Sequence, residues 1–167
     1  MKRWTVQLAI ATLLALLLAA PVAAYDHALA DSYATMFAPV QGAKAGKELH
    51  LVNPDQFAKE VRTGKPSVMV DIRTPGETQF LTANLPGHLA IPLAQLFHHD
   101  QLAKLPTDKP LIVLCKSGAR ATAAVTGLRQ VGFENAYVLK GGLQGLAAYL
   151  GPKEANMPLG PKTAAAQ

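Results

Sequence analysis

"KPLIVLCKSGARATAAVTGLRQVG", residues 109–132, runs from an apolar stretch through a short basic turn containing a glycine into an alanine-rich stretch. Leu111 to Leu114 are branched aliphatics without a polar break, the pattern of a strand buried on both faces. Ala119 to Val131 read as a helix stopped at Gly132. A strand that passes through a tight turn into a helix is half of a β–α–β unit, and the flanking chain repeats the alternation. "ELHLVN" (48–53) reads as a short first strand, and "PDQFAKEVRTG" (54–64) as a helix with Asn53 placed as its cap, Pro54 at its first position and Gly64 at its stop. "PSVMVDIR" (66–73) is a second buried strand, followed by a loop or short helix over 74–87 and a brief apolar element, "LAIP", at 89–92. Helical spacing of Leu93, Leu96, Phe97 and Leu102 predicts a helix with a core-facing stripe. "AYVLK" (136–140) is a further strand, and "GGLQGLAAYLG" (141–151) a last helix. The expected fold class is α/β, with a mostly parallel central sheet flanked by helices.

The chain has 167 residues, half of them hydrophobic and 16% charged, enough for one domain with a substantial core. Residues 1–24 begin with Lys2 and Arg3, continue through an apolar run and end in Pro21 and small residues, the build of a secretory signal peptide. Val22 and Ala24 suit one cleavage site, and Ala28 and Ala30 a second. Cleavage is favoured over an uncleaved anchor, so no stable membrane span is expected in the mature chain, and the expected compartment is the bacterial periplasm. Removing Lys2 and Arg3 takes the basic count from 16 to 14 against 11 acidic residues. That mild excess, with no dense basic run and no interleaved aromatics, argues against nucleic-acid binding. Residues 25–47 read as a lead-in segment, 48–150 as the folded domain, and 151–167 as a disordered tail rich in Pro and Ala.

Cys115 is the single cysteine. Exported domains spend cysteines on disulfides, and one cysteine cannot pair within its own chain, so it either links two subunits or is a working thiol. In parallel α/β sheets ligands sit beyond the carboxyl ends of the strands, where both Cys115 and Asp71 are expected. At a turn into a helix, consecutive backbone N–H groups have no helical partner and converge on an anion, and the helix dipole adds to their field. Lys116 and Arg120 supply formal charge, with the guanidinium fork suited to an oxyanion. The same surroundings favour the thiolate, the nucleophilic form. Cys115 is therefore the candidate nucleophile, and Lys116, Ser117, Gly118, Ala119 and Arg120 the candidate substrate loop.

In their order along the chain, "DIRTPGE" (71–77), "LPGHLAIP" (85–92), "CKSGAR" (115–120) and "KGGL" (140–143) resemble a single rhodanese domain of the periplasmic, signal-bearing type, over about Glu48 to Leu150. The resemblance implies a rhodanese-like fold and a sulfurtransferase. Cys115 would take a sulfane sulfur from a small-molecule donor such as thiosulfate and pass it, through a persulfide, to an acceptor such as cyanide, a thiol or a thiol-bearing protein. No cofactor is implied. The chain departs from the family pattern at Asn84, His88, Ala90, Leu143 and Leu146, around the scaffold and pocket wall.

Asp71 is expected to accept hydrogen bonds from loop amides, and Arg73 with Glu77, four residues on, to form an ion pair bracing the loop. His98 and His99 point to different faces of a helix, and no metal site is expected. Two other readings stand beside the sulfurtransferase. A cysteine phosphatase of the related loop type places one more residue between cysteine and arginine, a wider cradle than the four residues 116–119 make. A non-enzymatic persulfide carrier or binding module would accept sulfur without turnover.

Overall fold

The computed structural model describes residues 24–157. Residues 1–23, nearly all of the segment read as a signal peptide, and the part of the expected tail after Met157 lie outside the described residues. The chain divides between Met36 and Phe37 into two units. The first contains most of helix α1 (His27–Phe37), which starts where the Asp26 carboxylate accepts the Leu29 N–H at 2.9 Å. No helix among the described residues is long and apolar enough to cross a membrane.

The second unit opens with a 3₁₀ turn (Gly42–Lys44) and a helical turn, α2 (Ala45–Glu48). It continues through β1 (Leu51–Val52), α3 (Pro54–Arg62), β2 (Val68–Asp71), α4 (Pro75–Thr78), β3 (Leu89–Ala90), α5 (Leu93–Leu96) and α6 (His99–Leu102). Then follow β4 (Leu111–Leu114), α7 (Ala119–Gln130), β5 (Ala136–Leu139), α8 (Gly142–Tyr149) and α9 (Pro152–Ala155). The five described strands form one sheet in the order β1-β5-β4-β2-β3, every pair parallel, as expected for the α/β class. Because successive strand side chains point to opposite faces, Val68, Val70 and Ile72 join Leu111, Val113 and Cys115 in one core layer, under Ala121, Ala124, Val125 and Leu128 of α7. Met69, Ile112 and Leu114 face the other way and pack with Phe57 of α3 and Leu146 of α8.

At four points the structure adds to or departs from the sequence reading. The compact unit reaches back beyond residue 48, since α2 packs against β1. The tail expected from 151 is ordered through its start: Pro152 opens α9, and Arg62 of α3 donates to the Glu154 carboxylate at 3.0 Å and to its carbonyl at 2.6 Å. The helix expected over the Leu93–Leu102 stripe is two short helices, because the chain turns extended at His98. Leu96 is buried, but Phe97 is 40% exposed and lies with one edge against Gly127, where a Cβ would come within 2.7 Å of the ring. Asn53 occupies the cap position of α3 without a capping side-chain hydrogen bond.

Candidate active site

Cys115 follows the last residue of β4 and keeps the strand's alternation, so its side chain points to the layer under α7 and is only 1% exposed. Lys116 and Ser117 then lie on the surface, and Gly118 turns back inward. Gly118 has φ +95°, a left-handed conformation that a residue with a Cβ rarely adopts, and in it the Gly118 N–H donates to the Cys115 Sγ at 3.1 Å. The amides of Ala119, Arg120 and Ala121 open α7 and have no carbonyl a turn earlier to bind. Thr122 closes the turn, its N–H and its hydroxyl both donating to the Gly118 carbonyl, at 2.9 and 3.1 Å.

The outward-turned carbonyls of the loop are taken up by α8. The Leu143 N–H donates to the Cys115 carbonyl at 2.8 Å and the Gln144 N–H to the Lys116 carbonyl at 3.0 Å. This close approach explains the glycine at 142. Gly142 has φ +57°, and a Cβ there would overlap the Cys115 carbonyl and come within 2.8 Å of the Gly118 nitrogen. The "KGGL" stretch thus buttresses the cysteine loop, a role that residue pattern alone did not reveal.

Asp71 and Arg73, at the end of the neighbouring strand β2, are 0% and 4% exposed. The Asp71 carboxylate accepts the Arg73 N–H at 3.0 Å, as expected of a loop-shaping group, and also the Arg73 guanidinium, with Nη2 at 2.6 Å. The expected Arg73–Glu77 ion pair does not form. Arg73 reaches only the Glu77 carbonyl, at 3.2 Å, and the Leu81 carbonyl at 2.9 Å, because Asp71 already holds its charge. The Glu77 carboxylate instead accepts both terminal nitrogens of Arg120, Nη1 at 2.9 Å and Nη2 at 2.6 Å. Its Oε2 also accepts the N–H and hydroxyl of Thr74, at 3.0 and 2.9 Å, making Thr74 and Glu77 a capping box for α4. A Thr-x-x-Glu spacing before a helix was the sequence signal for this arrangement.

Hydrogen bonds from Arg120, then from the Thr74 backbone, hold the Glu77 carboxyl well below the usual carboxylate range, against partial desolvation. Arg120 is raised above its ordinary value, first by Glu77; desolvation opposes, and the Cys115 sulfur adds to the rise. The candidate loop residues 115–120 are therefore brought together around the sulfur, Glu77 joins them through Arg120, and Asp71 and Arg73 stand behind. Lys116 has no carboxylate partner among the described residues. Among the described residues no group of three or more His, Cys, Asp or Glu side chains could hold a metal ion.

The structure is thus a parallel α/β sheet whose single cysteine, just past a strand end, accepts a backbone N–H on its sulfur at the turn into a helix. The chain belongs to the rhodanese-like domain family, whose model matches residues 53–149. It is 33% identical over 91 residues to the mitochondrial thiosulfate sulfurtransferase RDL2 of Saccharomyces cerevisiae, covering 54% of this chain and 60% of that one. To the probable adenylyltransferase/sulfurtransferase MoeZ of Mycobacterium tuberculosis it is 28% identical over 101 residues, 60% of this chain but only 25% of that one. The chain thus spans a quarter to three fifths of the length of these relatives. Among solved structures, a rhodanese-related protein of Thermoplasma volcanium matches with TM-score 0.51 and 27% identity over 60% of this chain and 92% of that one.

Proposed function

We propose that the protein is a sulfurtransferase that carries a sulfane sulfur as a persulfide on Cys115. The observation that carries this reading is the Gly118 N–H on the Cys115 sulfur, at the head of a loop whose next amides open α7. The Cys115 thiolate attacks the outer sulfur of thiosulfate, the new S–S bond forms as the old one breaks, and sulfite leaves with the bonding pair. Attack by cyanide or a thiolate on the terminal sulfur then returns the thiolate. The Gly118 N–H on the sulfur would meet the negative charge present in both steps, with the first amides of α7 and the Lys116 and Arg120 side chains as further donors. The names of the sulfurtransferase relatives support sulfur as the cargo. The four-residue span between Cys115 and Arg120 supports sulfur over the larger phosphoryl group.

We propose further that residues 1–24 direct export, that the mature chain begins near Tyr25 or Asp31, and that it works in a bacterial periplasm with residues 48–150 as its sulfur-transferring core. Intact mass of protein recovered from a secreting host tests this; retention of Met1 in a membrane fraction overturns it. For the chemistry, the test is intact mass after thiosulfate treatment, with thiocyanate production in cyanide. One labile sulfur gained and lost on cyanide addition is the expected result. Hydrolysis of an aryl phosphate without sulfur loading would reverse the assignment. Sulfur loading without turnover would leave a persulfide carrier.

A further inference from the structure

Glu77 occupies the guanidinium fork of Arg120. Its two carboxylate oxygens meet both terminal nitrogens of Arg120, at 2.9 and 2.6 Å, the fork-to-fork geometry a guanidinium offers to a carboxylate, sulfonate or phosphate. The carboxylate is firmly placed. Thr74 donates to it twice, and the Glu77 carbonyl is held by Arg73, itself closed on buried Asp71. Of the two cations flanking Cys115, Arg120 is therefore neutralised by a tethered anion and Lys116 alone is left without one among the described residues.

We propose that Glu77 is a specificity-determining residue that selects sulfur donors by charge. It disfavours dianionic donors such as thiosulfate relative to donors of a single negative charge, such as a thiosulfonate or the persulfide of a small uncharged thiol. The inference rests on the reading of Cys115 as the sulfur carrier. All these donors use the same step. The thiolate forms an S–S bond to the terminal sulfur, and the old bond breaks to release sulfite from thiosulfate, a sulfinate from a thiosulfonate, or a thiolate from a persulfide. Net charge balances in each. The difference lies in the charge brought to the mouth, where a dianion must share or displace Glu77 on Arg120 and a monoanion needs only the loop amides and Lys116. The low range in which the Glu77 carboxyl is held means that protonation does not relieve this competition near neutral pH.

The test compares thiosulfate with benzenethiosulfonate, cyanide being the acceptor, in the full chain. Glu77→Gln removes the charge while keeping a side chain that serves in a capping box. It should raise kcat/KM for thiosulfate about tenfold, mainly through KM, and that for benzenethiosulfonate by a smaller factor of about threefold. High salt should shrink the gain, since screening weakens the repulsion it removes. Arg120→Gln, which leaves Glu77 uncompensated, should move the donor ratio the opposite way, and it decides the matter if circular dichroism shows Glu77→Gln to be unfolded. A merely structural Glu77 would lower both donors alike. An unchanged donor ratio, or a loss confined to thiosulfate in Glu77→Gln, would overturn the proposal while leaving sulfur transfer standing. If the unaltered protein loads sulfur from neither donor, both readings fall.

Discussion

Two carboxylate–arginine pairs stand behind and beside the same cysteine loop, and their surroundings differ. Asp71–Arg73 lies at the end of β2 with side-chain exposures of 0% and 4%, while Glu77–Arg120 joins α4 to α7 with exposures of 31% and 36%. The pair is buried, so Arg73 nitrogens also reach carbonyls beyond Asp71, Nη1 that of Glu77 and Nη2 that of Leu81. That is a scaffold. The half-open pair is reachable by an anion from solvent, and its contacts can be traded. One ionic chemistry thus serves shape where water is absent and selection where water enters.

The sharpest break comes from the sulfur at the start of that loop. Cys115→Ser should abolish sulfur loading and thiocyanate formation, since a hydroxyl neither ionises near neutral pH nor holds a sulfane sulfur. A variant that still gained a labile sulfur would remove the site from Cys115 altogether. Next in size is the buried pair. Arg73→Met leaves Asp71 as an uncompensated buried charge, an effect of about 3–5 kcal/mol on folding. Urea denaturation should show it as a lowered midpoint, with activity per folded molecule largely retained. Equal loss of activity without loss of stability would mean that Arg73 belongs to the open site. Asp71→Asn should act in the same sense, through stability. Arg120→Ala should invert the pattern: thiosulfate turnover falls by roughly 10- to 150-fold, as loss of a charge-assisted hydrogen bond implies, while the thermal midpoint barely moves.

The fold was legible wherever local pattern and tertiary environment agree. Leu111–Leu114 and Val68–Asp71 are apolar runs of strand length and are buried at every position. Pro54 and Gly64 mark the ends of α3 because their own backbone restrictions act before any packing. The cysteine loop was legible for the same reason, since a strand, a glycine turn and a helix start are all local. What escaped was long-range choice of partner. Pairing Arg73 with Glu77 by their four-residue spacing assumes one helix, but Arg73 precedes the Thr74 cap and lies outside α4, so the rule does not reach it. Glu77's actual partner lies 43 residues away. The Phe97 ring and the α9 turn depend on Gly127 and Arg62, contacts that no local pattern announces.

The smallest effect is the one that separates the two pairs by pH. Glu77 is held well below its ordinary value of 4.5, by Arg120 first and by the Thr74 backbone next, with partial desolvation pulling the other way. A carboxyl depressed in the folded state contributes stability that is fully present above the unfolded value and is lost as pH falls through the folded one. The Glu77 contribution should therefore be constant from alkaline pH down to about pH 5 and decline only below the ordinary value. Glu77→Gln lacks it at every pH. The gap in thermal midpoint between the two proteins, small near neutrality because the pair is half exposed, should close as acid is added. Thermal scans of both proteins at neutral pH and at steps below pH 4.5 measure it. A gap that instead opened in acid, or that already closed near pH 6, would show that the Glu77 carboxylate is not held by Arg120 and Thr74 in solution. Selection by charge would then lose its structural basis, while the buried pair would be untouched by the result.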